Sequence, residues 1–312
     1  MDTRNSSATT DTAGTTGTTD AREDFGRFLR AARARTSPAT GTGAGTGTGT
    51  STGTDPRQRR VKGLRREEVA QLAGVSFDYY ARLEQGRIGQ VSDAVLTGVA
   101  NALALDEAER RYLRDLMEGP RRPSPASRPG TPPPRGERVR PTVRRLVDSF
   151  ADVPVMVTGR GMDVLAANAL AAAIFFDPAS VPAAERNLAV WVFLAPEARE
   201  RYVEWERIAQ GMADGLRMQA AGRPGDARVA EVIATLRERS ADFRRMWAKQ
   251  GAFECTFAST AIRHPAVGEF RLDCEAFPVP GDPVQRMNVH STPAGSPAAA
   301  KLAELKGLLV RS

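Results

Sequence analysis

Leu64-Arg-Arg-Glu-Glu-Val-Ala-Gln-Leu-Ala-Gly-Val-Ser-Phe-Asp-Tyr-Tyr-Ala-Arg-Leu-Glu-Gln-Gly-Arg87 spells a helix, a tight turn and a second helix in one uninterrupted run. Ala70 is small where two crossing helices must approach, and Gly74 sits where the chain turns sharply. Val69, Leu72, Val75, Tyr80 and Leu83 are expected to form the buried side of the pair. Ser76 stands ahead of the second helix and is placed to accept from one of its orphan backbone N–H groups. The outward residues Phe77, Asp78 and Tyr79, with Arg82 one turn on, then form either a plain solvated face or the edge that enters a DNA major groove.

Charge around this run favours the groove. The 312-residue chain carries a net charge of +7, but 40 of its 44 basic residues are Arg, so global charge says little by itself. Local clustering says more. Arg57, Arg59, Arg60, Lys62, Arg65 and Arg66 fall within ten residues, ahead of the first acid of the first helix, Glu67. Such a run can hold phosphates and set register without reading sequence.

Further outward, residues 1–19 are polar, repetitive and poor in large apolar side chains, the composition of a disordered tail. From Asp20 the segment places Phe25, Phe28 and Leu29 on one helical face. A Gly-Thr tract within residues 37–56 follows, read as a low-complexity insertion. Ser92 and Asp106 announce two more helices, completing a five-helix domain over residues 20–118. Residues 119–140 are a proline-rich linker.

Residues 141–312 change character. A short helix through Phe150 precedes an expected hairpin, Val155-Met-Val and Met162-Asp-Val-Leu-Ala, after which Asn168 can cap a helix over 169–176. Ala198, Tyr202, Trp205, Ala209, Met212 and Leu216 trace the stripe of one amphipathic helix; Val229, Val232 and Leu236 trace a second, and Ser240 caps a third bearing Phe243 and Trp247. Alternation then marks three antiparallel strands around Phe253, Cys255 and Phe257, around Phe270 to Ala276, and around Met287 and Val289. With the first turn centred on Ala266, Cys274 falls opposite residue 258 and not opposite Cys255, so a cross-strand disulfide is not expected. Ser296-Pro297 opens a last helix with Leu302, Leu305 and Leu309.

Residues 64–103 resemble the Xre or lambda-repressor-type helix-turn-helix of bacterial transcription regulators. The wider context, Gly63-Leu-Arg-Arg-Glu-Glu-Val and Tyr79-Tyr-Ala-Arg-Leu-Glu-Gln-Gly-Arg87, resembles regulators that join this domain to an MmyB-like ligand-binding domain. Residues 141–311 share that likeness through Arg160 with Asp163-Val-Leu-Ala and Asn168, Arg186-Asn-Leu, Phe193 with Pro196 and Arg199, Trp205, Leu216-Arg217, Ser240 with Phe243 and Trp247, and His264-Pro265 with Val267-Gly268. The resemblance implies an all-α N-terminal domain plus an α+β, PAS-like C-terminal domain. It further implies a cavity that accepts an apolar small molecule such as a fatty acid.

On this reading Arg60, Lys62, Arg65, Arg66, Ser76, Phe77, Asp78, Tyr79 and Arg82 are the candidate DNA-binding residues, and Asn168, Phe193, Trp205, Arg217, Phe243 and Trp247 the candidate ligand-binding ones. The three rings Trp205, Phe243 and Trp247 read first as plain core and otherwise as a cavity wall, and Arg186, Arg199 and Arg217 as surface or interhelical pairs, or one of them as a bidentate holder of a ligand carboxylate. His264 reads as a turn residue. The expected partners are a double-stranded operator, a small molecule and a second copy of the chain. No cofactor, metal site, membrane span or enzymatic nucleophile is expected, and the location expected is cytoplasmic. The alternative is a constitutive DNA-binding repressor whose C-terminal domain serves dimerisation or protein docking. A more distant one is a cofactor-bearing sensor.

Overall fold

A computed structural model describes residues 13–37, 63–87, 89–118, 137–253 and 257–311. The chain divides into two units, one up to Arg121 and one from Arg122. Arg60, Lys62, Cys255, the first twelve residues of the expected tail, most of the Gly-Thr tract and nearly all of the proline-rich linker lie outside the described residues.

Among its described residues the first unit has five helices: α1 (Ala13–Arg35), α2 (Arg66–Ala73), α3 (Phe77–Glu84), α4 (Asp93–Ala102) and α5 (Glu107–Glu118). Helix α1 reaches back from Asp20 to Ala13, into the stretch read as a disordered tail. Phe25, Phe28 and Leu29 are buried, and Phe28 meets Tyr112 of α5 edge to face at 5.0 Å. Ser76 and Ser92 cap α3 and α4, accepting from Tyr79 N–H at 3.2 Å and Val95 N–H at 3.4 Å. Gly74 closes α2 in the left-handed conformation, φ 69°, so the two helices meet in a turn only glycine adopts without strain.

One residue of the expected buried side is misplaced. Leu72 is 63% exposed, and Val75 only half-buried. In a two-turn helix that buries Val69 and Ala70, a residue two positions beyond Ala70 lies about 200° around the axis and must face outward.

Among its described residues the second unit carries one sheet of five strands, β1 (Val155–Thr158), β2 (Val164–Ala167), β3 (Phe257–His264), β4 (Gly268–Val279) and β5 (Asp282–Ser291), all antiparallel in the order β2-β1-β5-β4-β3. The expected hairpin and the expected closing strands are therefore halves of one sheet, joined where Val155 and Val157 pair with Val289 and Met287. Ala258 lies opposite Cys274. Phe253 falls outside β3; it is 40% exposed and its ring lies over Gly211.

Alternation along β1 splits the unit into two layers. Val155 and Val157 face α6 (Pro141–Ser149), packing with Val147, while Met156 faces the main core. That core is roofed by α7 (Ala169–Ile174), α8 (Leu188–Leu194), α9 (Pro196–Arg201), α10 (Trp205–Gly222), α11 (Ala227–Arg239), α12 (Ala241–Trp247) and α13 (Pro297–Arg311). The stripe from Ala198 to Leu216 is two helices, not one. The edge of β3 takes the intervening chain: Tyr202 bridges to Ile262, and the Val203 N–H donates to Ala261 O at 3.1 Å. Helix α7 stops at Ile174, two residues short of Phe176.

Candidate functional site

In the first unit, α3 presents Phe77 (46% exposed), Asp78 and Arg82 to solvent, with Tyr79 half-buried beside them. The Ser76 cap fixes the start of this face, and Arg82 Nε donates to the Asp78 carbonyl at 3.4 Å, so the arginine folds back along its own helix. Arg65 is exposed at the start of α2, where its backbone N–H donates to Glu68 Oε2 at 2.6 Å.

Beneath this face lies a buried carboxylate. Glu84, fully buried at the end of α3, accepts from Arg33 Nε of α1 and from Arg66 Nε of α2, both at 2.6 Å. Arg33 also donates to Leu64 O at 3.0 Å. Burial works against the charged carboxylate, but the two guanidinium groups outweigh it and hold its pKa below the ordinary value. Three helices are thus tied at one point. Gly26 completes the contact, since a Cβ there would run into the Glu84 carbonyl oxygen. Arg66, expected only as a phosphate contact, has a structural partner as well.

In the second unit, five of the six candidate ligand-binding residues come together. The Phe193 ring meets Trp205 at 6.2 Å and Phe243 at 5.1 Å, both edge to face, and Phe243 meets Trp247 at 5.2 Å. Arg217 lies over the Trp247 ring at 4.3 Å, and Arg199 over Trp205 at 3.7 Å. Arg217 is buried and heavily engaged: it pairs with Asp214 at 3.0 Å, donates to Gly251 O at 2.7 Å and donates to Trp247 O. Arg199 forms an interhelical pair with Asp242, and Arg186 donates to Val181 O at 3.2 Å. His264 is the turn residue expected, its Nδ1 accepting from Ala266 N–H at 3.2 Å.

Asn168 stands apart from the rings. Its Oδ1 accepts from Val155 N–H at 3.1 Å and Ala171 N–H at 3.0 Å, and its Nδ2 donates to Phe150 O at 2.9 Å and Val153 O at 2.7 Å. Every polar atom of that side chain is taken by backbone.

A family model described as the MmyB-like transcription regulator ligand binding domain matches residues 139–305, more than half of the 312-residue chain. The chain belongs to this family. A second model, a helix-turn-helix domain, matches residues 24–113, and a comparison with curated proteins gave no match. The MmyB-like regulator is thus a DNA-binding transcription regulator that couples a helix-turn-helix unit to a ligand-binding domain. No helix among its described residues is long and apolar enough to cross a membrane.

Two features of the regulator escaped sequence reasoning. Glu84 belongs to the quoted Glu-Gln-Gly-Arg motif, yet nothing in the spacing says which distant arginines reach it. Arg228 gave no signal either; it grips Asp163 through two hydrogen bonds at 2.7 and 2.8 Å.

Proposed function

We propose that this MmyB-like regulator reads a pseudo-palindromic operator as a homodimer in the cytoplasm and changes its DNA affinity when the C-terminal domain, PAS-like in its mixture of sheet and helices, binds an apolar small molecule. The observation that carries the DNA half is the capped helix α3, whose exposed face offers Phe77, Asp78 and Arg82 above a rigidly anchored base. Arg82 donates to guanine O6 and N7, Phe77 contacts a thymine methyl, Asp78 accepts from cytosine, and Arg60, Lys62, Arg65 and Arg66 hold phosphates. Arg82→Ala should weaken binding by about 1–3 kcal/mol and relax preference at one base position, whereas Arg60→Ala should weaken all sequences alike and flatten the salt slope. Equal loss at every base for Arg82→Ala would remove its reading role.

The ligand half rests on the family and on the apolar rings of Phe193, Trp205, Phe243 and Trp247. A fatty acid is the ligand class favoured. Native mass spectrometry of freshly purified protein should retain one apolar molecule per chain, and myristate titrated into stripped protein should raise its melting temperature as ln(1 + [L]/Kd). An empty chain with no shift would favour the docking-module reading instead. Both outcomes concern a binding protein, not a catalyst.

A further inference from the structure

The loop Gly159–Asp163, which joins β1 to β2, is gripped from two sides. On one side stands Glu137, which the chain reaches directly after the proline-rich stretch; its Oε2 accepts from the Arg160 N–H at 2.9 Å. Gly159 is pressed against the same carboxylate, which a Cβ at that position would strike. The following residues are pinned too, with Gln285 donating to Arg138 O at 3.2 Å and Arg140 donating to Pro280 O at 2.7 Å.

On the other side stand α10 and α11. The Gly161 N–H donates to Gln219 Oε1 of α10 at 2.9 Å, and Asp163 receives the paired hydrogen bonds of Arg228 from α11. A Cβ on Gly161 would lie 3.1 Å from Val232 Cγ2, so α11 rides directly on the loop. Gly161 and Met162 both take positive φ, 58° and 70°, a compact shape with little freedom to yield. Helix α10 bears Trp205 and Arg217, and α11 packs on α12, which bears Phe243 and Trp247.

We propose that the Gly159–Asp163 loop is a coupling element, linking the packing of α10 and α11 to the position of Glu137–Arg140, the root from which the chain runs to the DNA-binding unit. A bidentate Arg–carboxylate pair and hydrogen bonds to main-chain N–H groups fix direction as well as distance, which surface ion pairs on flexible stems do not. Its use by a ligand rests on the ligand-binding reading above; the coupling itself does not, and is tested without ligand.

The test is amide hydrogen exchange on the full chain, comparing the parent with Arg228→Gln, Gly159→Ala and Leu305→Ala at matched global stability. Arg228→Gln acts on the α11 side only, and should speed exchange of the Arg160 and Arg144 N–H groups on the far side by about tenfold, as expected for losing a hydrogen bond to a charged group. Gly159→Ala acts on the Glu137 side and, because coupling is reciprocal, should speed exchange of Val229 and Ala230 at the start of α11. Leu305→Ala weakens the same core without touching the loop and should leave these four amides in the parent's rank order. Unchanged protection across the loop, or the same change in Leu305→Ala, overturns the proposal. Should Arg228→Gln not fold, Gly159→Ala decides through the α11 amides.

Discussion

Replacing Glu84 with alanine should destabilise the N-terminal unit by about 3–5 kcal/mol, enough to abolish DNA binding near physiological temperature. The cost does not come from the Coulomb attraction alone. Truncation leaves the mostly buried guanidinium of Arg33 without its partner and frees α1 from α3; the Arg66 arm, 41% exposed, contributes less because solvent screens it. Calorimetry of the full chain should show the transition of the first unit fall while that of the second stays. The double variant Arg33→Met with Glu84→Met should recover much of the loss, because removing both charges avoids an orphan. A Glu84→Ala protein that melts like the parent would refute the anchoring role.

The same pair predicts a pH dependence. The Glu84 carboxyl has a folded pKa below its unfolded one, so its contribution is complete above the unfolded value and is lost as pH falls through the folded value. The first unit should therefore lose stability on acidification below the ordinary carboxylate range, and the Arg33→Met/Glu84→Met protein should lose less over that interval.

Asn168→Ala should destabilise the second unit by about 3 kcal/mol, since two buried donors, Val155 N–H and Ala171 N–H, lose their acceptor at about 1–3 kcal/mol each. Asn168→Asp keeps the acceptor but sets a carboxylate against the Phe150 and Val153 carbonyls, and should not restore stability. Thermal melts of protein stripped of ligand separate the two roles open to this residue. A ligand contact would leave the stripped protein unchanged and weaken only the ligand-induced shift; the hydrogen bonds of Asn168 instead predict a lower melting temperature with no ligand present.

The helix-turn-helix was legible because its determinants are local. Ser76 and Ser92 each accept from an N–H three residues on, Gly74 supplies the positive φ of the turn, and the Tyr80 and Leu83 spacing follows from the helical period. The register of the β3–β4 hairpin was legible for the same reason, since counting from the Ala266 turn places Ala258 across from Cys274. Periodicity failed where a distant element intervened. The stripe from Ala198 to Leu216 continues smoothly in sequence, but β3 captures the main chain at Tyr202 and Val203 and breaks the helix.

The candidate ligand residues divide along the same line. Phe193, Trp205, Arg217, Phe243 and Trp247 converge because they sit on three helices that bury one shared face; helical spacing marked the three rings Trp205, Phe243 and Trp247, while Phe193 and Arg217 came only from the resemblance. Asn168 does not join them, since a capping residue at the end of β2 spends its hydrogen bonds on the strand and loop beside it.

By itself, then, the sequence determined the two-unit organisation, the caps, the turn and the apolar faces, each set by residues within a few positions of one another. Tertiary structure alone decided that Glu84 meets Arg33 across 51 residues, that Asp163 meets Arg228 across 65, and that β1 and β5 join two hairpin sets into one sheet. Charged partners so far apart leave no periodic trace. Their pairing is fixed only when burial of the surrounding apolar surface brings them into a space where an unpaired charge would be costly.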